Sequence, residues 1–587
     1  MDATDLTKAI SSQLSNADSS QRARNDSPSY WTSSPETLQS SSNPGDISFG
    51  TGHSIYSSKI APIIEQACHE VILVTCFWAQ SDTSSILNDS LRKLAAKATE
   101  MGKLIRVRVY FSSSSLFQKL LHPPSLKGKT YSPSSWHSTF DLPSADELTG
   151  LDLQIKSIFV LPFSLMHPKF IIIDRQRVLL PSCNVSWEDW FEGCMDLSGP
   201  IVDQFVRFFQ EFWAEESDMR PPPYTVTSKA DQVDGHQSSP VSPLAVRRVD
   251  MSSVPSVFLP SPHHWNPQIR MPWQQSSKPP PTPLNICLLS LFAKASDNIF
   301  IQTPNVTAQP VLDALLAALS RGVNIRIVTS EKLMVLEQMV TAGTTNKRCM
   351  QWLISQHREL LDRHGSTLAS PGELESGMIG NDVGMLKIEY YRPRALQDRA
   401  GSEPVQSHLK LTVVDDRIAV HGSGNMDRAS WYTSQELGVA FVSSELVSAV
   451  KGALAEAMQG RSEVLANSLQ SAWMAGSSSQ KLRWSRTLLI EIGPFGQASE
   501  FAKRGTAGAI KPQHPHTDNA AKTQCSAEVT TPKKVNLPWS TRQPYEPVRH
   551  KPSTYTPNLR GTRYTSIMNE ALPVYGRLNG HLRRRRK

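Results

Sequence analysis

The chain has 587 residues, enough for two or three domains, because domains mostly contain about 100 to 200 residues. Its net charge is +8, but residues 501–587 hold 17 Lys and Arg against 4 Asp and Glu, which leaves residues 1–500 at a net −5. The basic character therefore belongs to the C-terminal tail, and seven scattered cysteines without a C-x-x-C pair argue against a disulfide framework and a zinc cluster.

The first residues, MDATDLTKAISSQL, lack the apolar segment of a secretion signal. Apolar runs elsewhere in the chain stop well short of the 18 or so residues that a membrane-spanning helix requires. We therefore expect an intracellular protein, cytoplasmic or peripheral to a membrane.

Local patterns predict α/β architecture in the first half of the chain. Residues 1–45 are polar and are predicted to be disordered. A first lobe, 46–217, then reads as helix, buried strand (71–77), helix (86–99) and strand (104–110), an order that indicates a mainly parallel sheet. A polar segment follows, and the lobe ends in the helix 201–213, whose phenylalanines at helical spacing are predicted to pack in the core.

The second half repeats this order. Residues 218–283 are rich in Pro, Ser and Gln and are predicted to be a linker. Residues 284–475 then mirror the helix, strand, helix and strand of the first lobe, which predicts a second lobe of the same kind. Residues 476–587 are predicted to be a mostly disordered basic tail.

A short polar pattern occurs once in each lobe. In SHLKLTVVDDRIAVHGSGN, Lys410 lies two residues after His408, and an aspartate, a serine and an asparagine follow at seven, fifteen and seventeen residues. The stretch MHPKFIIIDRQRVLLPSCN keeps every one of these offsets from His167. A spacing kept 241 residues away indicates a duplicated unit.

The paired residues are suited to phosphate chemistry. Side chains two residues apart on a strand point to the same face, so the histidine and lysine of each copy meet one substrate group. Imidazole, ammonium, hydroxyl and amide groups together describe a pocket for a tetrahedral oxyanion, most simply a phosphodiester. We expect one histidine to attack phosphorus and the other to protonate the leaving oxygen.

Each histidine also needs a carboxylate on its other ring nitrogen. Glu436 is placed to serve His408 in the second lobe, and either Glu192 or Asp196 is placed to serve the first lobe. This chemistry requires no metal or other cofactor.

The two copies resemble the phospholipase D superfamily, whose signature is H-x-K-x4-D-x6-G-S-x-N. The second copy matches it in full, and the first departs only at Pro181, where the signature has glycine. The stretch GSGNMDRASWYTSQELGV is most similar to the cardiolipin synthase and phosphatidyltransferase branch. The resemblance implies two similar α/β/α sandwich lobes related by a pseudo-twofold, with the active site at the lobe interface.

The resemblance also implies roles for single residues: a phosphohistidine on His167, His408 as general acid and then base, and two aspartates that mainly stabilise the motif fold. The candidate residues are His167, Lys169, Asp174, His408, Lys410 and Asp415 for catalysis, Ser182, Asn184, Ser423 and Asn425 for phosphate binding, and Glu436 with Glu192 (or Asp196) for orienting the histidines.

The predicted activity is that of a phosphodiesterase or phosphatidyltransferase on a glycerophospholipid, with the whole site in one chain. A nuclease of the same superfamily and a catalytically inactive lipid-binding adaptor are the alternatives. The net −5 of residues 1–500 disfavours the nuclease, because phosphate contacts dominate nucleic-acid affinity. The basic end RLNGHLRRRRK is a candidate for peripheral contact with anionic membranes, with nucleic acid or with an import receptor.

Overall fold

The structure is a computed structural model, in which residues 1–16, 30–32, 34–114, 125, 127–159, 165–222, 241–263, 278–367, 383–394 and 403–468 are described. The described residues up to 468 belong to one compact unit. The predicted tail, 476–587, lies wholly outside the described residues.

The strands alternate with helices along the chain. They are β1 (Gln39–Gly50), β2 (Glu70–Phe77), β3 (Ile105–Ser113), β4 (Lys129–Tyr131), β5 (Leu151–Ser157), β6 (Phe170–Ile173), β7 (Arg177–Pro181), β8 (Trp190–Ser198), β9 (Ala245–Arg248), β10 (Val254–Ser261), β11 (Asn298–Gln302), β12 (Asn324–Thr329), β13 (Leu386–Tyr391), β14 (Gln406–Ser407), β15 (Leu411–Val414), β16 (Ile418–Gly422), β17 (Glu436–Val442) and β18 (Ser462–Asn467).

The helices follow the same chain order. They are α1 (Ala3–Asn16), α2 (Gly52–Ile55, a π-turn at Tyr56–Ile60, and Ala61–Gln66), α3 (Asp82–Glu100), α4 (Pro133–Phe140), α5 (Ile201–Phe212), α6 (Pro283–Lys294), α7 (Gln309–Leu319), α8 (Val335–Ala342), α9 (Asn346–Thr367), α10 (Arg428–Tyr432) and α11 (Ser444–Met458).

Two sheets with the same strand order carry the fold. The first runs β5, β3, β2, β6, β7, β8, β1, and the second runs β13, β12, β11, β15, β16, β17, β10. In each sheet the first three strands are parallel and the others are antiparallel. The predicted α/β class is confirmed. The expectation of a mainly parallel sheet is wrong, because both motif hairpins and the strands that flank them pair antiparallel.

The two sheets are joined through β1. Its first residues pair with β10, in register Gln39↔Val257, and its later residues pair with β8. The described residues up to 468 accordingly form one compact unit, so a division into two separate lobes is not confirmed.

Alternation along β2 explains why helices cover both faces of the first sheet. Ile72 and Val74 belong to a large apolar core that runs through both sheets, whereas Val71 and Leu73 pack in a second core with α2 and α3. The phenylalanines of α5 lie in the large core, as their spacing predicts. The motif strands are therefore fixed from both sides.

The prediction of disorder over residues 1–45 is wrong at both ends of that range. Residues 3–16 form α1, in which Leu6, Ile10 and Leu14 recur every four residues and are buried in the large core. Residues 39–45 belong to β1. The prediction failed because it rested on the mean composition of the segment, which is polar although three apolar side chains recur at helical spacing. Residues 17–29 and 33 lie outside the described residues.

The predicted linker, 218–283, also contains structure. Strands β9 and β10 lie within it, and β10 pairs with β1 on one side and with β17 on the other. Val257, Phe258 and Leu259 are fully buried there. The prolines and serines of VPSVFLPS led to the prediction of a linker, although the same stretch contains an apolar run. Residues 223–240 and 264–277 are outside the described part.

The cysteines in the described part of the chain are free thiols, and Cys525 lies beyond it. Among the described helices, none combines the length and apolar character that crossing a membrane requires.

Candidate active site

Both copies of the repeated pattern take the same backbone path. The histidine and lysine lie just before a short strand, β6 or β15, and a tight turn leads into its antiparallel partner, β7 or β16. Each lysine Nζ donates to the carbonyl of the histidine in its own copy, at 2.8 Å for Lys169 and 2.5 Å for Lys410. The ammonium groups are thereby held beside the imidazoles.

The two motif histidines meet between the sheets. Their ring centroids are 6.5 Å apart, and the ring planes are inclined at 86°. Reactive contacts span about 3 to 3.5 Å, so one phosphorus centre fits between the two rings. The structure thus joins both copies in one site.

The carboxylates that hold the histidines are exchanged between the copies. Nδ1 of His167 lies 2.9 Å from both carboxylate oxygens of Glu436. Nδ1 of His408 lies 2.7 Å from Oε1 of Glu192. The expectation that each glutamate serves the histidine of its own copy is wrong, because β8 and β17 place their glutamates against the opposite copy.

Backbone hydrogen bonds follow the same exchange. The amide of His167 donates to the carbonyl of Gln435 at 2.9 Å, and the amide of His408 donates to the carbonyl of Phe191 at 2.9 Å. Each acceptor directly precedes the glutamate that holds that histidine. Because Nδ1 is engaged, Nε2 of each ring points to the space where a substrate would react.

Asp196, the alternative to Glu192, has another role. Its carboxylate accepts from Arg177 and forms an ion pair with Lys59 at 2.8 Å. The orienting acid on β8 is therefore Glu192, four residues before it.

The motif serines support the glutamates. The hydroxyl of Ser423 donates to Glu436 at 2.5 Å and accepts from the amide of Leu437 at 3.1 Å. Ser182 donates to Glu192 in the same way and accepts from the amide of Gly193 at 2.9 Å. Both hydroxyl protons are thus directed at carboxylates, and phosphate binding by these serines stays a prediction.

The proline that replaces glycine in the first turn leaves this arrangement intact. The amide of Ser182 donates to Gly193 at 2.8 Å, and that of Ser423 donates to Leu437 at 2.9 Å. A Cβ on Gly422 would lie 2.3 Å from the Leu437 carbonyl oxygen, so the second turn requires glycine. At the corresponding position in the first copy, Pro181 is accommodated opposite Cys194.

The motif asparagines present buried oxygens near the histidines. Oδ1 of Asn184 and Oδ1 of Asn425 are both buried and lack a hydrogen bond among the described groups. Nδ2 of Asn425 donates to Asp427 at 3.0 Å. Since an amide oxygen accepts hydrogen bonds, these two atoms are suited to a donor group such as a hydroxyl.

The motif aspartates stabilise turns. Asp174 accepts from the amides of Cys68, His69 and Glu70 at 2.7 to 2.9 Å. Asp415 likewise accepts from the amides of the three residues 296–298. Both aspartates have φ near +50°, a conformation that aspartate tolerates better than most residues. Asp174 thus ties its motif hairpin to the start of β2, and Asp415 ties its hairpin to the start of β11.

Burial determines the electrostatics of the site. It lowers the pKa of His167 and lowers the pKa of His408 to about 3, against the opposing effect of the glutamates. Burial also lowers the pKa of Lys410 to about 7, although Glu192 opposes this. The imidazoles are thus neutral in the free site, as a nucleophile requires.

Four further residues belong to the site and were not predicted for it. Trp190 packs on His408, with ring centroids 4.7 Å apart, and Ser430 donates to Glu436 at 2.7 Å. Asp427 is buried beside Asn425, and Glu188 accepts from Ser186. Burial and the charge of Glu192 raise the pKa of Glu188 to about 7. Trp190 and Glu188 could have been proposed from the sequence, because both lie between the motif residue Asn184 and Glu192.

His421 bridges the two copies. Its Nδ1 lies 3.2 Å from the carbonyl oxygen of Lys410, and its Nε2 lies 3.1 Å from that of Leu180. His421 thus links the backbones of the two copies. Over the described part of the chain, no group of three or more His, Cys, Asp and Glu is arranged to hold a metal ion.

Comparison with known proteins gives one family match. Residues 288–457 match the family model described as cardiolipin synthase, phospholipase D-like domain. No curated protein matches the chain.

Similar solved structures include phosphatidylserine synthase of Haemophilus influenzae Rd KW20, at 14% identity, covering 79% of this chain and 95% of that one, with a TM-score of 0.43. Polyphosphate kinase of Porphyromonas gingivalis is 10% identical over 72% of this chain and 49% of that one, with a TM-score of 0.38. Nuc, a phospholipase D family member of Salmonella typhimurium, is 16% identical over 31% and 90%, with a TM-score of 0.20.

Proposed function

We propose that this chain, whose residues 288–457 match the phospholipase D-like domain of cardiolipin synthase, cleaves or transfers phosphodiesters of glycerophospholipids through a phosphohistidine. Both histidines needed for such a reaction are supplied by one chain. The substrate partner is a phospholipid, and the basic C-terminal tail gives peripheral contact with anionic membrane.

The observation that carries this proposal is the pair of facing histidines, 6.5 Å apart, each held at Nδ1 by a buried glutamate. Nucleophilic attack by one histidine and proton transfer by the other need this arrangement of two oriented imidazoles. A protein that only binds lipid has no need to fix two Nε2 atoms around one point.

In the first step, Nε2 of His167 bonds to phosphorus while the bond from phosphorus to the leaving oxygen breaks. The phosphodiester brings a negative charge into a buried site and so raises the pKa of His408, which takes up a proton from solvent at Nε2 when the substrate binds. His408 gives this proton to the leaving oxygen. Glu436 stabilises the positive charge that develops on the ring of His167.

In the second step, His408 accepts the proton of water or of an alcohol. The oxygen of that acceptor bonds to phosphorus, and the phosphorus–nitrogen bond to His167 breaks. Lys169 and Lys410 offset the charge on the phosphate oxygens in both steps. Water gives hydrolysis and an alcohol gives transfer of the phosphatidyl group.

The test is incubation of the purified full-length chain with labelled phosphatidylcholine, labelled phosphatidylglycerol and single-stranded DNA, each with and without glycerol as acceptor. The proposal predicts release or exchange of a lipid headgroup, and acid-labile label on the protein after a rapid quench.

Cleavage of DNA alone would replace the lipid assignment with a nuclease. No turnover of any substrate, with lipid binding retained, would favour the adaptor. A His137→Ala variant serves as the control, since His137 is an exposed histidine outside the site.

A further inference from the structure

The two orienting glutamates are held unequally. Glu436 receives Nδ1 of His167 on both oxygens, the hydroxyl of Ser423, and the hydroxyl of Ser430 at 2.7 Å. Glu192 receives Nδ1 of His408 and the hydroxyl of Ser182. Among the described contacts, the extra donor on the His167 side is therefore Ser430.

The direction of the Ser430 hydroxyl is fixed by its other contacts. Its oxygen accepts from the amide of Asn425 at 3.2 Å, so its single proton is directed at Glu436. Its own amide donates to Asp427 at 2.8 Å, which places it in the first turn of α10. Only 5% of Ser430 is exposed, so water does not replace its hydrogen bond.

The first copy has no matching hydroxyl. Glu192 lies eight residues after Asn184, whereas Glu436 lies eleven residues after Asn425. The three additional residues accommodate α10 and with it Ser430. Besides Ser182, the first copy has the hydroxyl of Ser186 between Asn184 and Glu192, and this hydroxyl donates to Glu188.

We infer, resting on the proposed function, that Ser430 is a positioning residue that fixes the Glu436 carboxylate on His167 and so equips this histidine to carry the phosphoryl group. A carboxylate held by three donor groups neither rotates away nor takes the Nδ1 proton readily. It therefore stabilises the positive charge of the phosphorylated ring as an anion. Ser430 acts through Glu436 and does not touch the substrate.

Replacing Ser430 by alanine removes one donor from a buried anion. Loss of a hydrogen bond to a charged group predicts a kcat lower by roughly ten- to hundredfold, with KM changed less than about threefold. The reaction to follow is hydrolysis of bis(p-nitrophenyl) phosphate, a phosphodiester whose cleavage does not depend on a particular lipid headgroup.

The pH profile separates positioning from general loosening. Without the Ser430 donor, the Glu436 carboxylate turns away from Nδ1 of His167 more easily and stabilises the imidazolium less, which lowers the pKa of that histidine. The acidic limb of kcat/KM, where His167 becomes protonated, therefore moves to lower pH. A change that only loosens the fold lowers kcat/KM at every pH and leaves the pH of the acidic limb unchanged.

Two variants control the experiment. Ser430→Thr keeps the hydroxyl and is expected to keep kcat within about threefold of the parent. Ser443→Ala deletes the serine hydroxyl that caps α11, where it accepts from the amide of Leu446 at 3.1 Å. Ser443 has no role in the proposed reaction. It costs stability without moving the acidic limb.

A measurement without turnover keeps the inference independent of the activity. NMR titration of the chain labelled at histidine gives the pKa of His167 in the parent and in Ser430→Ala. A lowered pKa in the variant supports the inference. An unchanged or raised pKa, or an unchanged kcat in an active parent, overturns it. An inactive parent with a lowered pKa in the variant overturns the proposed function alone.

Discussion

Nδ1 of His408 lies 2.7 Å from Oε1 of Glu192, a residue 216 positions earlier in the chain and part of the other copy of the motif. Nδ1 of His167 is held in the same way by Glu436, 269 positions later. Each half of the site therefore contains a histidine from one copy and a carboxylate from the other.

Substitution of the two histidines is expected to have different consequences. With bis(p-nitrophenyl) phosphate, whose leaving group needs no proton, His408→Ala accumulates phosphohistidine on His167, because the second step lacks its base. His167→Ala forms none. Turnover falls by roughly 10² to 10⁴ in both variants. Quenched-flow labelling followed by peptide mapping measures this. Label on His408 in His167→Ala, or no label on His167 in His408→Ala, would contradict it.

The exchanged pairs predict a specific pattern of coupling. Glu192→Gln should be strongly non-additive with His408→Ala and nearly additive with His167→Ala, because only contacting residues couple. Glu436→Gln should show the reverse pattern. Double-mutant cycles on the free energy of unfolding test this, because stability reports the contacts and not the shared chemistry. The exchange would be refuted by strong coupling between Glu192 and His167 together with additivity between Glu192 and His408.

Lys410 should give kcat/KM an alkaline limb. Its pKa is lowered to about 7 by burial, and only the protonated amine offsets phosphate charge, so kcat/KM falls as pH rises through about 7. Lys410→Arg moves this limb to higher pH because guanidinium stays protonated, even where the rate is lower.

Glu188 titrates in the same range, with its pKa raised to about 7 by burial and by Glu192. Its substitution by glutamine distinguishes the two groups. If Glu188→Gln removes the alkaline limb and Lys410→Arg leaves it unchanged, the assignment to the lysine fails.

Asp415 is expected to affect stability more than chemistry. Its carboxylate accepts three backbone amides, and leaving these donors unpaired in Asp415→Ala costs about 1 to 3 kcal/mol. The melting temperature should fall by several degrees while kcat at low temperature stays within a few-fold.

Asp416→Ala is the matched control for this variant. Asp416 has φ of 49° against 50° for Asp415, so alanine is equally strained at both positions. Among the described contacts, that of Asp416 is an exposed ion pair with Lys451, worth less than about 1 kcal/mol. Equal melting temperatures for the two variants would contradict the structural role.

The sequence predicted the α/β class because the alternation of helices and strands is local. The pairs His167–Lys169 and His408–Lys410 were identifiable for the same reason, since each spacing spans only three residues, although both pairs lie just before the strands and not on them. The exchange of Glu192 and Glu436 was not predictable, because spacing along one copy does not reveal which strand of the other copy lies beside it.

Composition misled where structure depends on a few side chains. In the polar N-terminal segment, Leu6, Ile10 and Leu14 suffice to pack α1 against the core. In the proline-rich segment 218–283, Phe258 and its neighbours make β10 a central strand. Ser430 was missed because its role depends on three residues that the first copy lacks.

The exchange of carboxylates also bears on how the protein is made. A nascent chain that ends before residue 436 already contains His167, yet the carboxylate that orients this imidazole has not been synthesised. Likewise His408 emerges with its carboxylate, Glu192, already in place but with no second oriented histidine. Both histidines can be oriented only after the strand that carries Glu436 has been synthesised. A chain that ends before this strand therefore lacks the carboxylate that orients the attacking histidine, His167.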